Sequence, residues 1–246
     1  MAESVVRTAE ISAGQDVIDL ACGTGNAALR AAALGARAVG VDASQRLLEV
    51  ARGRARDKGI EVDFREGDLL SLPLADCGAD IVLSVFGVIF VSDPARALRE
   101  IQRVLRPGGR VLLSAWIPDG PIDAMLGAMG RVLRRVTQTP PPQRFPWSDP
   151  AVVAELASGA GLVLRGTSPG ELAIRDRSPQ AYVLAGQEHP MALAVRPVLD
   201  GAGVSDEARA AMTAVLREAN EDAGAFLVHS PYVVHELHLR DLGEVR

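Results

Sequence analysis

Two cysteines in 246 residues, Cys22 and Cys77, are too few for a disulfide framework or a cysteine-built metal cluster. An excess of basic residues is also missing. The formal net charge is −5, which argues against a nucleic-acid surface. Where arginines gather (Arg46, Arg52, Arg54, Arg56) they fall on one predicted helix and read as a solvated face. No apolar run reaches the length of a membrane span, and the first residues carry no basic stretch followed by an apolar core. Internal repeats and low-complexity segments are lacking as well. What remains is an ordinary globular composition, 48% hydrophobic and 23% charged, with length for one α/β domain and an elaboration. The expected setting is cytoplasmic and reduced, with no metal and no membrane span.

Strand and helix signals alternate regularly from Val17 to Trp116. Val17–Leu20 reads as a buried strand, and Asn26–Leu34 as an alanine-rich helix stopped by Gly35. A second strand covers Ala38–Val41 and ends at Asp42. Ser44 then caps a helix that Gly59 ends. A short third strand over Val62–Arg65 leads toward Asp68. Asp80–Val85 is a nearly continuous apolar run, as expected of a strand covered on both faces. Asp93-Pro94 starts a helix with Ala97, Leu98, Ile101, Val104 and Leu105 inward. After a turn at Arg106–Gly109, Arg110–Trp116 is the fifth strand. Such alternation implies a parallel sheet with right-handed crossovers.

Beyond Trp116 the pattern changes. Amphipathic helices are expected over Ile122–Val136 and after Ser148-Asp149-Pro150, with a sixth strand over about 162–174. Residues from about Ser178 to Gly224 read as helical, and Phe226–Leu237 as the last strand. The expected fold is therefore α/β: a doubly wound, Rossmann-like, mostly parallel seven-stranded sheet with helices on both faces. A helical insertion precedes the last strand, all within one domain, 1–246. Its core is about 14–116, its covering helical elements about 117–160 and 178–224, and its last strands about 162–174 and 226–238.

Open α/β sheets bind ligands beyond the carboxyl ends of their strands. Those ends here carry Asp19 with Gly23 and Gly25, then Asp42, then Asp68, then Ser84 to Phe86. The Gly-x-Gly turn between strand and helix lets a ligand lie against bare backbone. Three strand ends bear a carboxylate and none a lysine. That arrangement cradles phosphate poorly and a nucleoside with a cationic tail well. Asp42 suits a pair of ribose hydroxyls, or alternatively caps the helix after Ser44. Asp68 suits an exocyclic amine, with Leu69 offering a neighbouring N–H, or is a plain turn aspartate. Asp19, inside an apolar strand, requires a partner. That partner is either the ligand or backbone N–H groups of the glycine turn.

The run Val17-Ile18-Asp19-Leu20-Ala21-Cys22-Gly23-Thr24-Gly25-Asn26 resembles the first motif of class I S-adenosylmethionine-dependent methyltransferases. Val39-Gly40-Val41-Asp42, Gly67-Asp68, Asp80–Ser84 and Arg103–Gly109 resemble that family's later motifs in order, over about residues 14–116. The small-molecule subgroup similar to ubiquinone and menaquinone biosynthesis methyltransferases is the nearest in character. This resemblance implies S-adenosyl-L-methionine as cofactor and S-adenosyl-L-homocysteine as product. It implies cofactor contacts from Asp19, Ala21, Gly23, Gly25, Asp42, Ala43, Asp68, Leu69, Ser84 and Val85. About a dozen residues precede the first strand, fewer than the helical cover such relatives carry, so a shortened cover is expected. Ser84-Val85-Phe86-Gly87 departs from the Asn/Asp-Pro-Pro-aromatic pattern of enzymes that methylate amides or exocyclic amines in nucleic acid or protein.

The expected reaction is methyl transfer to an O or C nucleophile of a small apolar metabolite, by a monomer or homodimer. Trp116, Met125, Met129, Phe145 and Trp147 are substrate-pocket candidates, although the methionines also fit a helix core face. No general base stands out. His189 lies in the predicted cover, while His229 and His235 share parity on the last strand. Two rival readings are a nicotinamide-dependent oxidoreductase using Gly23, Gly25 and Ala28 as a relaxed Gly-x-Gly-x-x-Ala turn, and a non-catalytic cofactor-binding protein.

Overall fold

The computed structural model describes residues 1–138, 145–188 and 190–240. Seven strands form one sheet in the order β3-β2-β1-β4-β5-β7-β6. They are β1 (Asp16–Leu20), β2 (Arg37–Asp42), β3 (Asp63–Glu66), β4 (Ala79–Val85), β5 (Leu105–Trp116), β6 (Leu162–Asp176) and β7 (Phe226–Leu239). The pairs β1–β2, β1–β4, β2–β3 and β4–β5 are parallel, with Leu20 opposite Val41 and Asp19 opposite Leu83. Strand order reverses between β1 and β4, the switch point at which such sheets bind ligands.

The chain divides into two compact units. The first comprises 1–115, 145–169 and 233–246. It contains the helices α1 (Ala2–Thr8), α2 (Asn26–Ala33), α3 (Gln45–Lys58), α4 (Pro94–Val104) and α6 (Pro150–Gly159). Their starts follow side-chain chemistry. The Ser44 hydroxyl accepts from Leu47 N–H, Asp93 from Arg96 N–H, and Asp149 from Ala151 N–H. Val17, Ile18 and Leu20 on β1 and Ile81, Val82 and Leu83 on β4 are all buried, which accounts for their uninterrupted apolar runs.

The second unit comprises 116–144 and 170–232. It contains α5 (Pro121–Thr137), α7 (Pro179–Ala185), α8 (Pro190–Gly201) and α9 (Ser205–Glu218). Its core joins Ile122, Met125 and Met129 of α5 to Met212 and Leu216 of α9 and to Phe226 and Val228 of β7.

Three features differ from the sequence reading. Residues ahead of β1 form α1, which buries Val5 and Val6 against α2. Strand β5 begins at Leu105, not Arg110. Leu105 pairs with Ala79, and the expected turn residues then loop out as a bulge before Arg110 pairs with Ile81. On β7, burial alternates on even positions to Tyr232, then Val233 and Val234 are both buried and the phase inverts. Equal parity therefore does not give His229 and His235 equal surroundings.

Candidate active site

The carboxyl ends of β1, β2, β3 and β4 are linked into one rim by hydrogen bonds, all within the first unit. Cys22 N–H donates to Val41 O (3.0 Å), and Gly67 N–H donates to Asp42 O (3.1 Å). One Asp42 carboxylate oxygen accepts from Gly23 N–H (2.8 Å) and the other from Ser44 N–H (2.8 Å). Asp42 is thus the tie between the glycine turn and the end of β2, and it retains lone pairs for further donors.

The glycines of the turn serve different needs. Both stand in the left-handed region, Gly23 at φ 56° and Gly25 at φ 79°. A Cβ on Gly23 would meet nothing within 4 Å, whereas one on Gly25 would stand 2.9 Å from the Phe64 ring. Gly23 therefore leaves open room over its backbone, and Gly25 makes way for Phe64. That ring also presses on Gly40, where a Cβ would lie 2.7 Å away.

Asp19 is buried, and its carboxylate accepts from Ala28 N–H (2.9 Å) in the first turn of α2. Gly25, the N-cap residue, has no side chain to offer, so Asp19 does that work from the strand. Burial, reinforced by the charge of Asp42, pushes the Asp19 carboxyl up to about 7, against the pull of the Ala28 and Ala27 N–H groups. A cation brought near would favour its ionised form. The same burial and the Asp19 and Asp42 charges push the Cys22 thiol well above its ordinary range.

Asp68 is exposed and closes a turn by accepting from Leu70 N–H (2.9 Å), beside buried Leu69. Ala43 is exposed next to Asp42. Ser84 is fully buried, with Leu20 O and Val88 N–H as its partners, and Val85 is half-buried. Sequence reasoning missed several residues that shape this rim. Arg54 reaches from α3 to Thr24, donating to its carbonyl (2.6 Å) and hydroxyl (2.9 Å). Ser114 accepts from Phe86 N–H (3.0 Å). A serine inside the apolar run Val111–Ala115 was the signal for Ser114; nothing local announced the reach of Arg54. Lys58, the chain's single lysine, closes α3 at the end away from the rim.

The substrate-pocket candidates fall in both units. Met125 and Met129 are buried in the core of the second unit, with half-buried Trp116 packed against that core. In the first unit Phe145 and Trp147 meet edge to face at 4.8 Å. Trp147 is buried, and its indole N–H has no partner among the described residues. His229 is held by Glu221, with 2.7 Å between Nδ1 and Oε2. His235 is fully buried, with Nε2 2.7 Å from Trp147 O and Nδ1 2.8 Å from the Thr167 hydroxyl. A carbonyl only accepts, so Nε2 carries the proton; burial holds this imidazole neutral by lowering its pKa. His189 lies outside the described residues. Among the described residues no group of three His, Cys, Asp or Glu could hold a metal ion, and no helix is long and apolar enough to cross a membrane. A separate groove of about 1020 Å³, lined by Asp16, Arg37, Arg52, Ile60 and Arg65 among others, contains none of the rim residues.

The seven-stranded, mostly parallel sheet with its helices is the Rossmann-like methyltransferase fold. Residues 18–113 match the family described as a methyltransferase domain. The chain is 33% identical over 171 residues to an uncharacterized protein of Mycobacterium tuberculosis, covering 70% of this chain and 62% of the relative. It is 37% identical over 132 residues to the methyltransferase GfsG of Streptomyces halstedii, covering 52% of this chain and 48% of the relative. The matched part thus spans about half to three fifths of these relatives' own length. Among solved structures, the YcgJ protein of Bacillus subtilis superposes with a TM-score of 0.66 at 24% identity, covering 98% of both chains. The last likeness concerns the fold alone.

Proposed function

We propose that this chain transfers a methyl group from S-adenosylmethionine to an O or C nucleophile of a small, apolar metabolite. The observation that carries the reading is the rim itself: an open glycine turn bounded by Asp19, Asp42 and Asp68, with no lysine near it. The donor set fits the cofactor. In this proposal Asp42 accepts from the ribose hydroxyls and Asp68 from the adenine amine, with Ala43 and Leu69 alongside. Asp19 sets the electrostatics at the methionine end near Ala21, Gly23 and Gly25, and Val85 at the end of β4 borders the methyl group. When bound, S-adenosylmethionine supplies an activated methyl group on a sulfonium leaving group.

The chain's own contribution is to bind, orient and exclude water. Val85, Phe86 and the apolar segment to Val91 offer a surface without charge beside the rim. Within the first unit Phe145 and Trp147 remain acceptor-side candidates, and the Trp147 N–H, without a partner among the described residues, is a donor for a polar atom of the acceptor. No general base is assigned. His229 is engaged with Glu221 and His235 is a buried strut, so the reading favours acceptors whose nucleophile needs little help to ionise. One domain over 1–246, a cytoplasmic setting, a monomer or homodimer and a small-molecule partner complete the proposal. The test is transfer of a labelled methyl group to a panel of apolar phenols, enols and amines, with products identified by mass spectrometry. Labelled phenolic or enolic products support it; label only on amines, or on nucleic acid, refutes it.

A further inference from the structure

Two residues that carry a Cβ stand in the left-handed region at the ends of neighbouring strands: Ala21 after β1, at φ 51°, and Phe86 after β4, at φ 58°. Glycine takes this conformation freely and other residues do not, so it persists only where the surroundings enforce it. The enforcing contacts are visible. Gly87 is packed so tightly that a Cβ there would stand 2.5 Å from Ala21 Cβ, 2.6 Å from Ser84 Oγ and 2.9 Å from Leu20 O. The Ser84 hydroxyl donates to Leu20 O and accepts from Val88 N–H, both at 3.1 Å. Ser114 accepts from Phe86 N–H at 3.0 Å. Both serines are fully buried, so neither has surface with which to meet a ligand.

We propose that Ser84 is a positioning residue that couples the cofactor turn after β1 to the acceptor-side segment Val85–Val91. This rests on the methyltransferase reading of the rim. A hydroxyl is both donor and acceptor, and Ser84 uses one function on each loop. Joined in this way, the two strained loops hold their conformation before a ligand arrives, and the ordering does not have to be supplied by binding. A serine that merely satisfied a nearby backbone group would affect stability and leave ligand affinity alone.

The test is calorimetric titration of the full chain with S-adenosylhomocysteine, together with amide hydrogen exchange. Ser84→Ala should weaken binding about tenfold and speed exchange across residues 85–91, with the remaining protection pattern kept. Ser84→Thr, which restores the hydroxyl, should recover most of the affinity. Gly87→Ala keeps the hydroxyl but forces the loops apart, and should reproduce the loss. It carries the test if Ser84→Ala does not fold. Folded Ser84→Ala, or in its absence folded Gly87→Ala, binding as tightly as wild type would overturn the proposal. If wild type itself gives no binding, the cofactor reading fails and takes this proposal with it. Binding by wild type with unaltered variants defeats the coupling alone.

Discussion

Replacing Asp42 by alanine removes the acceptor for two backbone N–H groups at once, those of Gly23 and Ser44. Hydrogen bonds to a charged acceptor contribute about 1.5–3 kcal/mol each, but a half-buried N–H regains water when its partner leaves. Both donors sit on half-buried residues, so the net loss of stability should be about 2–3 kcal/mol. A second effect is separate. If Asp42 also accepts from ribose, the affinity for S-adenosylhomocysteine falls about ten- to a hundredfold. Urea denaturation measures the first quantity and calorimetry the second, on the same preparation. Asp42→Asn sharpens the comparison. It keeps shape and one acceptor but turns an amide NH₂ toward one of the two N–H groups, so stability should fall nearly as far as in alanine. A folded Asp42→Ala protein with wild-type affinity would show that this carboxylate builds the turn and does not touch the ligand. Unchanged stability would refute the hydrogen-bond account itself.

Other consequences concern charge and thiol chemistry. The Asp19 carboxyl is raised to about 7, so the folded state holds its proton more tightly than the unfolded chain does. Its contribution is present below the ordinary aspartate range and is lost as pH rises through about 7. The urea midpoint of Asp19→Asn relative to wild type should therefore climb between pH 5 and pH 8; a constant difference would contradict the burial argument. Asp16 behaves in the opposite sense. Its hydrogen bond with Arg37, aided by Arg106 and opposed by burial, lowers its carboxyl to about 2. Asp16→Asn should cost about 1 kcal/mol near neutrality, discounted because Arg37 is well exposed, and this difference should vanish as pH falls through about 2. Finally, Cys77 is exposed whereas Cys22 is buried beside two carboxylates. A thiol reagent should titrate one equivalent quickly and a second only after denaturation. Two fast equivalents would show that the glycine turn opens in the native state.

Much of the first unit was legible because its signals are local. Ser44, Asp93 and Asp149 announce helix starts through their own side-chain bonds, and strands covered on both faces read as unbroken apolar runs. The rim carboxylates were legible for the same reason, being polar residues at the ends of such runs. What escaped depends on distance in sequence. Arg54 finds Thr24 across 30 residues, and Ser114 finds Phe86 across 28. Neither pairing leaves a trace in either segment alone. Helix α1 is only seven residues long and is held by Val5 and Val6, too few positions for periodicity to register. The early start of β5 was hidden because Pro107-Gly108-Gly109 has turn chemistry and the strand accommodates it as a bulge. On β7 the inversion at Val233–Val234 separates His229, engaged with Glu221, from His235, a buried strut. Parity counted along the sequence assigns both to one environment.

Paired titrations test the selectivity of the rim. S-adenosylhomocysteine and NADH are each titrated into the same sample of wild-type protein at matched concentration. Saturable heat from the homocysteine nucleoside with none from the dinucleotide is the predicted result. Saturable binding of NADH, with its pyrophosphate on the Gly23–Gly25 turn, would contradict it.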